Sequence, residues 1–103
     1  MYIFDNQSEF YRYPQGGIEA GQEIILKIYI RKNVESKPII KIEKRQDLSS
    51  STYMDIPMEW ISTKNSYDLY KGSFTINDYG QYFYSFVLNE RIISKNYEFL
   101  IYK

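Results

Sequence analysis

Histidine and cysteine are both absent from this chain, which carries 12 Tyr, 6 Phe and 1 Trp beside 13 Asp and Glu. That omission excludes a Ser-His-Asp triad, a cysteine nucleophile, a histidine- or thiolate-ligated metal and any disulfide framework. Carboxylates remain as the available catalysts. Hydrolysis of a glycosidic bond needs two of them facing each other across a cleft, ~5 to 10 Å apart. Asp55 with Glu59, or Asp68 with Asp78, are the pairs that could be put forward. A cleft deep enough to hold a sugar and shift a carboxyl pKa is hard to build in so short a chain, so all four are expected as solvated residues on strands and turns. No catalytic residue, metal ligand or cofactor is assigned.

Noncatalytic binding is open to the aromatic rings. An exposed ring face offers apolar area to the CH face of a sugar, while neighbouring polar groups bond its hydroxyls. Tyr53, Trp60, Tyr67 and Tyr70 are the candidates for such a carbohydrate platform, with Asp55, Glu59, Lys64 and Asn65 close by in sequence. One feature opposes Trp60: it shares parity with Met54, Ile56 and Met58, which directs it toward a core. A second amphipathic cluster, Tyr11-Arg12-Tyr13-Pro14, has the composition of a protein contact, or caps one end of the fold. Nucleic acid is not an expected partner. The 13 basic and 13 acidic residues cancel, and the basic residues between Lys37 and Arg45 are interleaved with Glu43 and isoleucines.

The elements that must position these residues are strands. Ile24, Leu26, Ile28 and Ile30 alternate within Glu23 to Lys32, the clearest period-2 pattern in the chain. Gly16, Gly17 and Gly21 punctuate the approach and leave Gln7 to Tyr13 as a short edge strand or extended lead-in. After a charged turn over 33–37, Ile40 and Ile42 alternate with Lys41 and Glu43. Asp47 to Thr52 reads as irregular, since Ser and Asp side chains compete with the backbone for hydrogen bonds. Met54 to Trp60 reads as one strand, placed at an edge or bulged by Pro57. Tyr67 to Ile76 and Tyr82 to Leu88 follow, and a two-residue turn at Asn89-Glu90 closes a hairpin onto Arg91 to Tyr102.

About seven short strands with turn signals roughly every 8 to 12 residues predict an all-β, immunoglobulin-like sandwich of antiparallel strands in one domain, residues 1–103. Asp78 to Tyr84 has the layout of a tyrosine corner, with Tyr82 returning its hydroxyl to upstream backbone and Tyr84 in the place of a core cysteine. Tyr82, Tyr84, Phe86, Phe74 and Phe99 are expected inside; Tyr11, Tyr13, Tyr53, Tyr67 and Tyr70 are the rings left for binding. No run approaches the ~20 apolar residues of a membrane span, and the first residues lack the pattern of a secretory signal. A cytoplasmic location is expected if Met1 is the natural start, a secreted one if a signal was trimmed.

Two stretches carry a resemblance. Tyr11-Arg12-Tyr13-Pro14-Gln15-Gly16-Gly17-Ile18-Glu19-Ala20-Gly21 is one; Ile56-Pro57-Met58-Glu59, Tyr67-Asp68-Leu69-Tyr70 and Gly80-Gln81-Tyr82-Phe83-Tyr84-Ser85-Phe86 form the other. They resemble the N-terminal β-sandwich domain attached to alpha-amylase superfamily glycosidases of glycoside hydrolase family 13. The resemblance implies a noncatalytic accessory module that assists α-glucan binding or braces the catalytic barrel of the same polypeptide. It places Tyr11, Arg12, Tyr13 and Pro14 beside that barrel and leaves the chemistry to it. The alternative is a protein-interaction or adhesion sandwich unrelated to carbohydrate.

Overall fold

The computed structural model describes residues 1–33 and 36–103 and contains two packed β-sheets. The expected charged turn at 33–37 includes Val34 and Glu35, which lie outside the described residues. Seven strands are long: β4 (Ile24–Arg31), β5 (Pro38–Gln46), β6 (Ser49–Pro57), β7 (Glu59–Lys64), β8 (Tyr67–Phe74), β9 (Gly80–Leu88) and β11 (Tyr97–Tyr102). Four two-residue strands complete the sheets: β1 (Tyr2–Ile3), β2 (Arg12–Tyr13), β3 (Ile18–Glu19) and β10 (Arg91–Ile92). The first sheet runs β1-β4-β8-β7, with β2 also on β4; the second runs β3-β11-β9-β5-β6, with β10 on β9. The long strands of the first sheet correspond to B, E and D of an immunoglobulin domain, and those of the second to G, F, C and C′. The fold is an immunoglobulin-like sandwich, antiparallel except where β3 lies parallel to β11.

Alternation explains most of this. In β4 the residues Ile24, Leu26, Ile28 and Ile30 are buried while their neighbours are not, so one face of the strand lies in the core. Against them stand Ile40 and Ile42 of β5 and Tyr82, Tyr84 and Phe86 of β9. Tyr82, Tyr84, Phe86, Phe74 and Phe99 are all buried as expected. The tyrosine corner is present: the Tyr82 hydroxyl donates to the carbonyl of Asp78 at 2.7 Å.

The sheets approach closely at Gly72 of β8. A Cβ there would lie 2.5 Å from Cδ1 of Ile40, a wholly buried side chain of the opposite sheet, and 3.4 Å from Cγ of Met58. Gly72→Ala is therefore expected to destabilise the fold by about 1–3 kcal/mol through overpacking. Ile40→Val removes the clashing methyl, so in urea unfolding the double variant should lose less stability than the two single losses added together.

Four expectations about local structure are corrected. Gln7 to Tyr13 is neither an edge strand over its length nor an extended lead-in: Asp5 and Ser8 turn the chain, with the Gln7 N–H donating to Asp5 Oδ1 at 2.9 Å and the Arg12 N–H to the Ser8 carbonyl at 2.9 Å. Only Arg12 and Tyr13 pair with β4. Asp47 to Thr52 is not irregular either. Asp47 takes a left-handed φ of 48° in a two-residue turn, and Ser49 to Thr52 pair with β5, whose backbone groups satisfy those the Ser side chains would otherwise engage.

Met54 to Trp60 is two strands rather than one. β6 pairs with β5 in the second sheet and β7 with β8 in the first, so the chain changes sheets at Met58. Pro57, which has no N–H, ends β6 on a sheet edge as its chemistry requires. Finally, Asn89 and Glu90 do form the two-residue turn, at φ 50° and 68°, but the return strand is interrupted. Arg91 pairs with Leu88, whereas Tyr97 pairs with Tyr84, so two residues are taken up between β10 and β11. An even slip preserves which face each side chain occupies.

Candidate functional site

The sheet change at Met58 lies beside a concavity. An open groove of about 590 Å³ lies between Pro38 and Ile39 of β5, Pro57 and Met58 at the crossover, and Trp60, Asp68 and Tyr70 of the first sheet. Trp60 lies opposite Tyr70 in register, so their side chains share the core-side face. The inward direction expected of Trp60 is thus correct, but its burial is not: the residue is 56% exposed. β7 is the last strand of its sheet, and the indole lies beside the open groove rather than under a facing strand.

The indole is held in place. Its Nε1–H donates to Asp68 Oδ1 at 3.1 Å, and the Thr63 hydroxyl donates to the same oxygen at 2.5 Å. Thr63 and Asp68 are opposite each other across β7 and β8, and a bulge between Trp60 and Ser62 adjusts the strand between the two donors. Asp68 is only 6% exposed, so its expected place as a solvated residue is corrected. The Thr63 hydrogen bond is the chief reason its pKa is lowered from the ordinary 3.8; burial opposes this, and the Trp60 N–H and the Lys32 charge reinforce it. Asp68 thus remains ionised at neutral pH, with one oxygen committed to Trp60 and Thr63.

This arrangement has a titration that the single tryptophan can report. A carboxylate whose folded pKa lies below its unfolded value stabilises the fold above the unfolded value, and that contribution is lost as pH falls through the folded one. The emission of Trp60 should therefore change with a midpoint below pH 3.8, and Asp68→Asn should remove that transition.

The other candidate residues are dispersed. Tyr70 is buried at 6% exposure and belongs to the core cluster, touching the groove from its floor. Tyr67 is on the opposite face of β8, beside Ile3, Tyr11, Tyr29, Lys64 and Asn65. Tyr53 is at the irregularity of β6 in the second sheet, edge-on to Tyr82 at 5.1 Å. Asp55 and Glu59 are exposed on strands of different sheets, and Asp78 forms an ion pair with Lys44. Asp68 and Asp78 therefore have separate partners.

Of the Tyr11-Arg12-Tyr13-Pro14 cluster only Arg12 is buried; Tyr11 and Pro14 are half-buried and Tyr13 is exposed. Arg12 is 5% exposed and donates from Nη2 to the carbonyl of Gly16 at 2.9 Å, so it ties down its own turn rather than presenting a charge. Tyr11 packs edge-on to Phe4, Phe10 and Tyr29; burial raises its pKa, and the charges of the ionisable Tyr29 hydroxyl and of Asp5 add to this. A cis peptide bond precedes the half-buried Pro14, and Tyr13 is half exposed. Among the described residues, no group of three or more Asp or Glu side chains is placed to hold a metal ion.

Thr63 is the participant that composition did not single out. Its signal was the turn at Asn65-Ser66: a two-residue link places Lys64 opposite Tyr67 and hence Thr63 opposite Asp68.

No protein-family model matches the chain, and no curated protein matches it in sequence. The solved structures similar to it include two of one protein. Both are of the uncharacterized protein lmo2446 from Listeria monocytogenes EGD-e: one has a TM-score of 0.67 and 13% identity, the other 0.68 and 14%. The second was solved in complex with α-D-glucose, β-D-glucose, magnesium and calcium. The likeness is one of fold. Each match covers 98% of this chain and 10% of the other, so the sandwich spans about a tenth of the length of the protein it resembles.

Proposed function

We propose that this chain is a noncatalytic sandwich module of an alpha-amylase superfamily glycosidase, and that it assists binding of an α-glucan. The observation that carries the reading is Trp60: a large ring, half open to solvent, anchored by its own N–H to a buried carboxylate and bordering a polar-rimmed groove. An indole fixed in this way loses little side-chain freedom when a sugar packs on it, which favours binding. Lys37 and Ser36 line the same groove and supply hydroxyl partners. The resemblance of the Tyr11 to Gly21 and Gly80 to Phe86 stretches to the family's N-terminal domain supports the same reading, as does the glucose found with the Listeria protein. In this reading the catalytic barrel of the same polypeptide performs hydrolysis.

Because Trp60 is the single tryptophan, its emission is a direct reporter of the groove. Titration with glucose and with maltooligosaccharides to millimolar concentration should give a saturable change, larger for the longer sugars. A flat response across that range would sink the carbohydrate reading.

A further inference from the structure

The outer face of the first sheet, remote from the groove, has an unbalanced charge. Register and alternation place Lys27 and Arg31 of β4, Lys64 of β7 and Lys71 of β8 on this face, with Glu59 of β7 the acidic residue among these strand positions and Asp5 close enough to Tyr11 to act on its hydroxyl. Lys27 and Lys71 are directly opposite each other, an arrangement of like charges that disfavours the sheet. None of the four cations forms an ion pair among the described residues, whose ion pairs are Lys41 with Glu43 and Lys44 with Asp78. The chain as a whole is neutral, so this face concentrates positive charge that the rest of the molecule balances elsewhere.

Between these cations is an aromatic depression. Ile3, Tyr11, Tyr29 and Tyr67 line a hollow of about 200 Å³, with Lys64 and Asn65 at its rim. Phe10 extends the patch, stacked on Tyr29 with centroids 6.1 Å apart and an interplanar angle of 14°, and Lys27 Nζ is 4.9 Å from the Phe10 centroid. Ile3 and Phe10 are each nearly half exposed. Tyrosines around a small pocket, extended by Phe10 and with Arg31 in register with Tyr67 on the same face, have the composition of a protein-binding centre.

We propose that this face docks an extended acidic segment of a protein partner, which inserts one apolar side chain between Tyr11, Tyr29 and Tyr67 and sets carboxylates against Lys27, Lys64 and Lys71. The hollow has room for a single Leu- or Phe-sized group, and the surrounding cations select a partner of opposite sign. Single-stranded nucleic acid fits less well. Base stacking needs free ring faces, whereas Phe10 and Tyr29 occupy each other's faces and Tyr11 is edge-on to both at 86° and 74°. The inference is independent of the sugar reading, because it uses the other face of the sheet.

The test uses the whole chain and a defined probe: a ten-residue peptide of alternating Glu or Asp with Leu and Phe. Amide chemical shifts should move along β4 and β8, most strongly around Tyr29 and Tyr67. Binding should weaken at least tenfold when the acidic residues of the peptide become Gln and Asn, and again in Lys27→Glu/Lys71→Glu, with the far-UV spectrum unchanged and the Trp60 emission unaffected by peptide. No shifts at millimolar peptide, equal binding of the neutral peptide, or tighter binding of oligothymidine or anionic phosphatidylserine vesicles at this face would each overturn the proposal. Should the double variant not fold, the acidic-against-neutral peptide comparison on the unaltered protein decides alone.

Discussion

Phe86→Ala should cost about 3–5 kcal/mol of unfolding free energy, a range set by the transfer of a large ring and the cavity it leaves. Phe86 has no solvent exposure. It pairs with Ile40 across β9 and β5, and its ring is 4.8 Å from Phe4 and 6.0 Å from Tyr84. Phe4 in turn touches Tyr11, Tyr84 and Tyr97, so the ring joins the N-terminal segment to the core of the second sheet. A domain of this size has a total stability of about 5–15 kcal/mol, so the variant should be marginally folded, with Tm lower by more than about 10 °C. Tyr79→Ala, at a residue 52% exposed, provides the contrast, with a change within about 0.5 kcal/mol. Chemical unfolding of the two variants side by side measures the difference, and near-equal losses would mean that the core is not where these residues place it.

Trp60→Ala is the second large effect, on binding rather than folding. Removing the ring should weaken the proposed α-glucan binding at least tenfold, equivalent to about 1.4 kcal/mol, because the sugar loses the exposed ring bordering the groove and keeps only the buried Tyr70 at its floor. The fold should survive, since the ring is more than half exposed and its loss leaves Thr63 still bonded to Asp68. Asp68→Asn, which keeps an oxygen for one donor but removes the charge, should have an intermediate effect by loosening the indole. Affinity electrophoresis in starch gels compares all three proteins without relying on tryptophan emission. Undiminished retardation of Trp60→Ala would move any sugar site away from the groove.

The two effects differ in kind because the rings serve different ends. Phe86, Tyr82 and Tyr84 are within the sandwich, where burial raises the pKa of both tyrosine hydroxyls well above the ordinary 10.0. Each hydroxyl still has a partner: the Asp78 carbonyl for Tyr82, and the side chain of Asn6 for Tyr84. Trp60 is the ring whose polar atom is satisfied inward while its apolar body is left at the surface.

Much of the core was legible from spacing. Alternation in Ile24 to Ile30 and Tyr82 to Phe86 identified buried faces because successive side chains of a strand must point to opposite sides. The tyrosine corner was equally readable, since it is local: donor and acceptor are four residues apart. Trp60 shows where this logic stops. Parity across Met54, Ile56, Met58 and Trp60 assumed one strand in one sheet, and nothing within those residues reveals that the chain leaves one sheet for the other at Met58.

Arg12 shows the same boundary from the other side. The composition of its cluster suggested either a protein contact or a cap on one end of the fold; the turns at Asp5 and Ser8 and the pairing of β2 with β4 put the Arg12 guanidinium inside, on the carbonyl of Gly16. A charged residue reads as exposed until the backbone that receives it has been folded around it.

The amino-acid sequence by itself determined the fold class, the buried face of β4, the buried rings of β9 and the absence of thiol and imidazole side chains. These follow from side-chain type and period, properties that act over a few residues. Only the tertiary structure decided that Trp60, Thr63 and Asp68 form one hydrogen-bonded group beside an open groove, and that four cations without an ion pair among the described residues share the outer face of the first sheet. Both depend on which strands become neighbours and in what register, and that is set by pairing between segments far apart in the chain, a long-range choice that local spacing does not encode.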